Sequence, residues 1–255
     1  MYLGLSGQVY VVTGGSRGLG HATARVLVEE GASEVLAGRT SAALDAAAAG
    51  LTGLGSGRAT GVVGDLADQD TPWRLVDAAL STYGRLDGGL VSVGGPPVGT
   101  VADTSDDAWR TAFESVFLGS VRMLRELTGA LPSGGSVAAV LSTSVKSPIP
   151  GLTTSNGLRP GLAMVIKALA DEVGPRGIRV NGLLPGRLDT ERVQELDAAA
   201  ADPVGARRRH ETSIPLRRYG RPEEFGRVAA FLLSPASSFV SGAMVPVDGG
   251  LLRAL

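Results

Sequence analysis

Short β-branched runs alternate with longer alanine-rich, amphipathic segments along almost the whole chain, and this alternation constrains the fold more than any other feature. Strands are expected at 9–13, 35–37, 60–63, 90–93, 137–141, 179–184 and 245–247. Helices are expected at 18–30, 41–49, 69–82 and 222–233. A long helix runs to about residue 128, with Thr104, Ser105 and Asp106 as candidate caps. A second long helix spans about 155–172. Strands separated by such helices mean βαβ units and a mostly parallel sheet covered on both faces. No repeat and no linker divides the chain, so residues 1–255 read as one α/β domain. One stretch departs from the alternation. It is polar and arginine-rich, covers about 187–216, and follows Pro185-Gly186 at the end of an expected strand. A segment beyond the C-terminal end of a strand is where an open α/β sheet carries a substrate lid.

Composition removes several function classes. The 255 residues are 44% hydrophobic and 19% charged, with a formal net charge of -1. That balance suits a globular core, not a disordered chain. It gives no global attraction to nucleic acid or anionic lipid. No cysteine is present, which removes disulfides and thiol chemistry. No apolar run reaches about 18 residues, so no membrane span is expected. No secretory signal is visible, and a cytoplasmic location is expected. Two distant histidines, His21 and His210, have no metal-site spacing, and no metal is expected.

The chemistry-bearing motifs begin at the first strand-to-helix junction, Thr13-Gly14-Gly15-Ser16-Arg17-Gly18-Leu19-Gly20. Gly14, Gly18 and Gly20 permit a tight turn and a close approach to a pyrophosphate at a helix N-terminus. With 37 glycines in the chain, such a turn also arises structurally; its place at this junction favours the dinucleotide. Arg39 follows the second strand, where an adenosine ribose is held. A carboxylate there binds NAD ribose hydroxyls, whereas an arginine fork suits a 2′-phosphate. Arg17 adds a second positive charge, and the pair points to NADP(H). Asp65, in Val63-Gly64-Asp65-Leu66, ends the third strand. It can accept from an adenine amino group, or it can cap the next turn.

Together these features resemble the short-chain dehydrogenase/reductase family, and the resemblance covers nearly the whole chain. The glycine turn matches the family's Thr-Gly-x-x-x-Gly-x-Gly motif, and Asp65 its adenine-binding aspartate. Arg179-Val180-Asn181-Gly182-Leu183-Leu184-Pro185-Gly186 matches its strand-six signature, followed by Thr190. Ile214-Pro215-Leu216, Gly220, Pro222-Glu223-Glu224 and Val247-Asp248-Gly249-Gly250 match its C-terminal pattern. The resemblance implies a Rossmann-type, doubly wound parallel seven-stranded sheet. It also implies a cofactor site of Gly14, Ser16, Arg17, Gly18, Leu19, Gly20, Arg39, Asp65, Leu66, Gly94, Arg159, Pro185 and Gly186. The two long helices are expected to pack across a homodimer or homotetramer interface.

The match fails at the family's catalytic Asn, Ser, Tyr and Lys. Counting from Leu169-Ala170 puts the tyrosine at Ser155 and the lysine at Arg159, in Ser155-Asn156-Gly157-Leu158-Arg159. Counting from Trp109 and Gly119 puts the asparagine at Val116. The family's Asn-Asn-Ala-Gly reads Ser92-Val93-Gly94-Gly95. The serine survives as Ser142 or as Ser144. Sliding the alignment recovers nothing: the tyrosines are Tyr2, Tyr10, Tyr83 and Tyr219, and the only lysines are Lys146 and Lys167.

In the family's usual mechanism the tyrosine donates a proton as hydride passes between nicotinamide and a carbonyl, and the lysine lowers the tyrosine pKa. A phenol with pKa near ~10 can be tuned that way; an aliphatic hydroxyl cannot. Arg159 can hold hydroxyls but does not relay a proton. Ser155 and Arg159 share one helix face. With Ser142, Ser144 and Asn156 they could form a hydrogen-bonding pocket that polarises a carbonyl or binds an acid. Lys146 could face that pocket or lie on the loop surface. His210, in an arginine-rich run read as a solvated helix face, and Tyr219 are the remaining proton sources. His21 reads as structural.

The first expectation is an NADP(H)-dependent oxidoreductase that reduces a carbonyl, imine or activated double bond of a small molecule with a non-standard site. The alternatives are a non-redox isomerase, cyclase or lyase, or a catalytically silent cofactor-binding protein.

Overall fold

Seven parallel strands, all in one sheet, carry the computed structural model, which describes residues 2–95 and 97–254; positions 1, 96 and 255 lie outside the described residues. The first half of the chain contributes β1 (Val9–Thr13), β2 (Ser33–Gly38), β3 (Ala59–Val63) and β4 (Gly88–Val91). The second half contributes β5 (Ser136–Val140), β6 (Arg179–Pro185) and β7 (Met244–Val247). Their order is β3-β2-β1-β4-β5-β6-β7. The order reverses between β1 and β4, so a crevice opens beyond the C-terminal ends of these two strands.

Helices cover both faces. They are α1 (Gly18–Glu29), α2 (Ser41–Leu51), α3 (Thr71–Tyr83), α4 (Asp106–Ala112), α5 (Gly119–Ala130), α6 (Thr153–Val173), α7 (Glu191–Ala198), α8 (Pro203–Ser213) and α9 (Pro222–Leu233). The central strands are buried on both sides and read as continuous apolar runs, as parallel strands do. Alternate residues feed two cores. Val9, Val11 and Val137 pack under α3, α5 and α6 with Leu75, Leu124 and Ile166. Tyr10, Val12 and Leu36 pack under α1 and α9 with Leu27 and Phe225.

Several bounds differ from the expected elements, β2 among them, which starts at Ser33 instead of 35, and three differences bear on the surroundings of the cleft. β4 starts two residues earlier, at Gly88. These glycines belong to the strand because the sheet has no room for side chains there. A Cβ on Gly88 would lie 2.2 Å from the Ser136 carbonyl oxygen, and one on Gly89 would lie 2.8 Å from Leu127. The first long helix is not uniform. Ser105 caps α4, its Oγ accepting from Ala108 N at 3.2 Å. Phe113–Leu118 then form a π-helical segment before α5. The stretch at 187–216 contains two helices, α7 and α8, started by Thr190 and Asp202, whose side chains accept from Val193 N and Gly205 N. Among the described residues, no helix is long and apolar enough to cross a membrane.

Candidate active site

The glycine turn between β1 and α1 forms one end of the crevice. Gly14 and Gly18 have φ of +60° and +61°, backbone that side-chain-bearing residues rarely adopt. Gly20 has a different task. Its Cβ would lie 2.3 Å from the Gly14 carbonyl oxygen, so it lets α1 close onto the turn and does not line the crevice. His21 supports the same turn through Nδ1 and Gly15 O, 3.1 Å apart, in agreement with its structural reading. Thr13 Oγ1 accepts from Ser92 N at 2.7 Å and donates to Ser92 O at 2.8 Å, which ties the end of β1 to the segment after β4.

A continuous cleft of about 1240 Å³ runs from this turn across the sheet. Such a volume exceeds that of a drug-sized pocket and has room for a dinucleotide beside a small molecule. Gly14, Ser16, Arg17, Gly18, Leu19, Arg39, Asp65, Leu66 and Gly94 line it on one side, and Pro185 and Gly186 at the end of β6. Arg39 is exposed and has no ion-pair partner among the described residues. Arg17 reaches across to Glu191 at the start of α7, 3.2 Å away. Asp65 caps its own turn, with Oδ1 accepting from Ala67 N at 3.0 Å. The capping role is therefore realised, and it leaves the second carboxylate oxygen free of that bond.

The other end of the cleft carries the substituted positions. Ser142, just past β5, faces the cleft, and its Oγ accepts from Ser144 N at 3.1 Å. Ser144 lies behind it, buried, with its Oγ 3.1 Å from Ser155 Oγ. Of the two candidate serines only Ser142 lines the cleft. Ser155 and Arg159 both line it from α6. Arg159 donates from Nη1 to Val140 O at 2.7 Å. Burial alone pulls its pKa down to about 10. Val116 is buried on the π segment, packed with Ala112 and Leu158. Asn156 does not join the pocket. Its amide is used by the loop before α6, donating to Ile149 O at 2.9 Å and accepting from Ile149 N at 3.0 Å. Lys146 is exposed on the loop surface and is not a cleft residue.

None of the described tyrosines lines the cleft. Tyr10 is fully buried, with its hydroxyl near Leu233 O at 3.3 Å, and Tyr83 bonds the Glu34 carbonyl at 3.3 Å. Tyr219 donates to Asp197 Oδ2 at 2.9 Å, and burial together with that carboxylate pushes its pKa up to about 12.

His210 departs from its expected solvated setting. It is half-buried and lines the cleft from α8, with Nε2 3.0 Å from Arg187 Nη2. Burial, and then the Arg187 charge, lower its pKa. Arg187 also pairs with the buried Asp197 at 3.3 Å. Neither Arg187 nor Asp197 was singled out from the sequence. The position of Arg187 directly after Pro185-Gly186, at the C-terminal end of a strand, was the available signal. Asp197 gave none.

A family model described as enoyl-(acyl carrier protein) reductase matches residues 14–252. Human dehydrogenase/reductase SDR family member 4 is 31% identical over 252 residues, which is 96% of this chain and 88% of that protein. The chain belongs to the short-chain dehydrogenase/reductase family. As a member it is an oxidoreductase by kind. Another relative, the cis-4-hydroxycyclohexanecarboxylate dehydrogenase of Sinomonas cyclohexanicum, is 34% identical over 246 residues, covering 95% of this chain and 96% of its own. The L-sorbose reductase of Gluconobacter frateurii, solved with NADPH and L-sorbose, superimposes with a TM-score of 0.93 at 30% identity and covers 100% of both chains.

Proposed function

We propose that this protein is an NADP(H)-dependent reductase of a small molecule, working with Ser155 and Arg159 where other members of the family have tyrosine and lysine. The observation that carries the reading is the single cleft that joins the Gly14–Gly18 turn and Arg39 to Ser142, Ser155 and Arg159. The NADPH found in the related sorbose reductase supports the cofactor. Here the glycine turn would hold the pyrophosphate. Arg39, aided by Arg17, would bind the 2′-phosphate, and Asp65 the adenine. Gly94, Pro185 and Gly186 would border the nicotinamide end, with Arg159 at the ribose. The two helices between 187 and 216 act as the substrate lid. We place the enzyme in the cytoplasm as a homodimer or homotetramer on the family likeness.

The bound cofactor supplies a hydride. The chain's own residues then have two tasks, orientation of the acceptor and stabilisation of the charge that develops on it. Ser142 donates a hydrogen bond to the acceptor from the cleft wall. Arg159, a fixed cation in a poorly solvated place, holds a negatively charged group of the bound molecule more strongly than it would in water. Neither group hands over a proton as a phenol does, so the proton that completes the reduction comes from solvent or from His210, which lines the same cleft. Acceptors that need least acid assistance, namely conjugated carbonyls and iminium ions, suit this site better than plain ketones.

Titration with NADPH and NADH tests the cofactor reading. NADPH is expected to bind at least about tenfold more tightly, and Arg39→Ala to remove most of that preference. Equal affinity for the two cofactors would refute it.

A further inference from the structure

Arg159 is only 5% exposed, and no carboxylate pairs with it among the described residues. Among the described residues its acceptor is the Val140 carbonyl. The acids that share the cleft are engaged elsewhere. Glu191 pairs with Arg17 at 3.2 Å, Glu195 with Arg192 at 3.7 Å and Asp107 with Arg110 at 2.7 Å. Asp65 caps its own turn.

A guanidinium keeps its charge and offers five donors in a planar fork. Holding such a cation out of water without a counter-ion is costly, and the lowered pKa reflects that cost. Hydroxyl groups can satisfy its donors but bring no compensating charge. Beside it, Ser142 follows Val140 by two residues, and Ser155 lies one turn earlier on α6. Both hydroxyls line the same cleft, whose neighbouring wall is apolar at Ile149 and Leu152. A small serine at 155, in place of a large ring, adds little bulk to the cleft wall that it shares with Arg159.

We propose that Arg159, with Ser155, is an anion subsite of the cleft that receives a carboxylate of the substrate. A carboxylate matches the fork in shape and can bond it twice. Its single charge balances one guanidinium, whereas a phosphate dianion would bring more charge than this place compensates. The inference rests on reading the cleft as a substrate site, and it makes the substrate an organic acid.

The test is calorimetric titration of the full-length protein with benzoate, benzamide and inorganic phosphate, without cofactor and again with saturating NADP+. Benzoate is expected to bind at least about tenfold more tightly than its neutral amide, and more tightly than phosphate. Arg159→Gln should bring the benzoate-to-benzamide ratio close to one, and Arg159→Lys should keep part of it. Ser155→Asp places a carboxylate on the same helix face as Arg159. It should abolish the benzoate preference with the melting temperature unchanged or raised, so the test survives if Arg159→Gln does not fold. Equal binding of benzoate and benzamide to the wild type would overturn the proposal. So would a ratio that persists in Arg159→Gln or in Ser155→Asp. Failure of NADP+ to bind would instead refute the cofactor reading, and the preference measured without cofactor would stand.

Discussion

Ser155 and Arg159 occupy one face of α6, and each has a different relation to the cleft. Ser155 shares a hydrogen bond with the buried Ser144, while Arg159 holds a buried charge against a backbone carbonyl. Neither is a proton donor near neutral pH, so restoring the missing acid is the direct test of what the site lacks. The double variant Ser155→Tyr with Arg159→Lys should raise NADPH-dependent reduction of plain ketones by about 10²-fold or more, the usual worth of a positioned general acid. No gain in a steady-state assay would mean that the surrounding geometry has diverged too. At this scale the sequence was most informative where a role depends on a residue's own chemistry. The absence of a mid-chain tyrosine needed no structure. What stayed hidden were partners far along the chain. Arg17 meets Glu191 across 174 positions. His210 looked solvated in its run of arginines until Arg187 was placed against its ring. Counting back from Ser155 favours Ser142, the local match Ser144-Val145 favours Ser144, and the two differ in which side of the loop each faces.

At the scale of elements, the alternation of apolar runs was enough to order the strands and helices, because parallel strands and their covering helices are set by local pattern. The departures come from tertiary contacts. Gly88 and Gly89 read as loop residues, yet they start β4 because neighbouring strands and Leu127 leave no space for a Cβ. The π turn at Phe113–Leu118 has no signature in the sequence. The lid region was visible as a polar excursion, but its cohesion was not. α7 and α8 are fastened by Asp197, which accepts from Tyr219 at 2.9 Å and pairs with Arg187 at 3.3 Å. Arg207 adds a stacking contact, 4.5 Å above the Tyr219 ring, and an ion pair with Asp189 at 2.8 Å. Asp197→Ala leaves the Tyr219 phenol without its acceptor and the Arg187 guanidinium without its counter-ion. It should cost about 2–4 kcal/mol. Limited proteolysis should then cut between 187 and 216 faster than in the wild type, with unchanged cutting as the contrary result.

Over the whole molecule, stability carries one anomaly. Glu34, in β2, is fully buried, and neither carboxyl oxygen has a hydrogen-bond partner among the described residues. Burial raises its pKa well above the usual 4.5. Between those two values the native state holds a proton that the unfolded chain has released. Stability from this group is therefore full below 4.5 and declines as pH rises through the folded pKa. Glu34→Gln should raise the melting temperature by about 2–6 °C at pH 8 and change it little at pH 4.5. A scan showing equal shifts at both pH values would contradict this. The same whole-molecule view gives the functional claim its sharpest test. The fold and family make the protein an oxidoreductase, and the proposed site transfers hydride without a tyrosine acid. The decisive measurement is turnover of a conjugated carbonyl or iminium acceptor with NADPH deuterated at nicotinamide C4, read by mass spectrometry of the product. The account predicts one deuterium at the carbon of the reduced double bond. Product that carries no deuterium, formed at the same rate without cofactor, would contradict it.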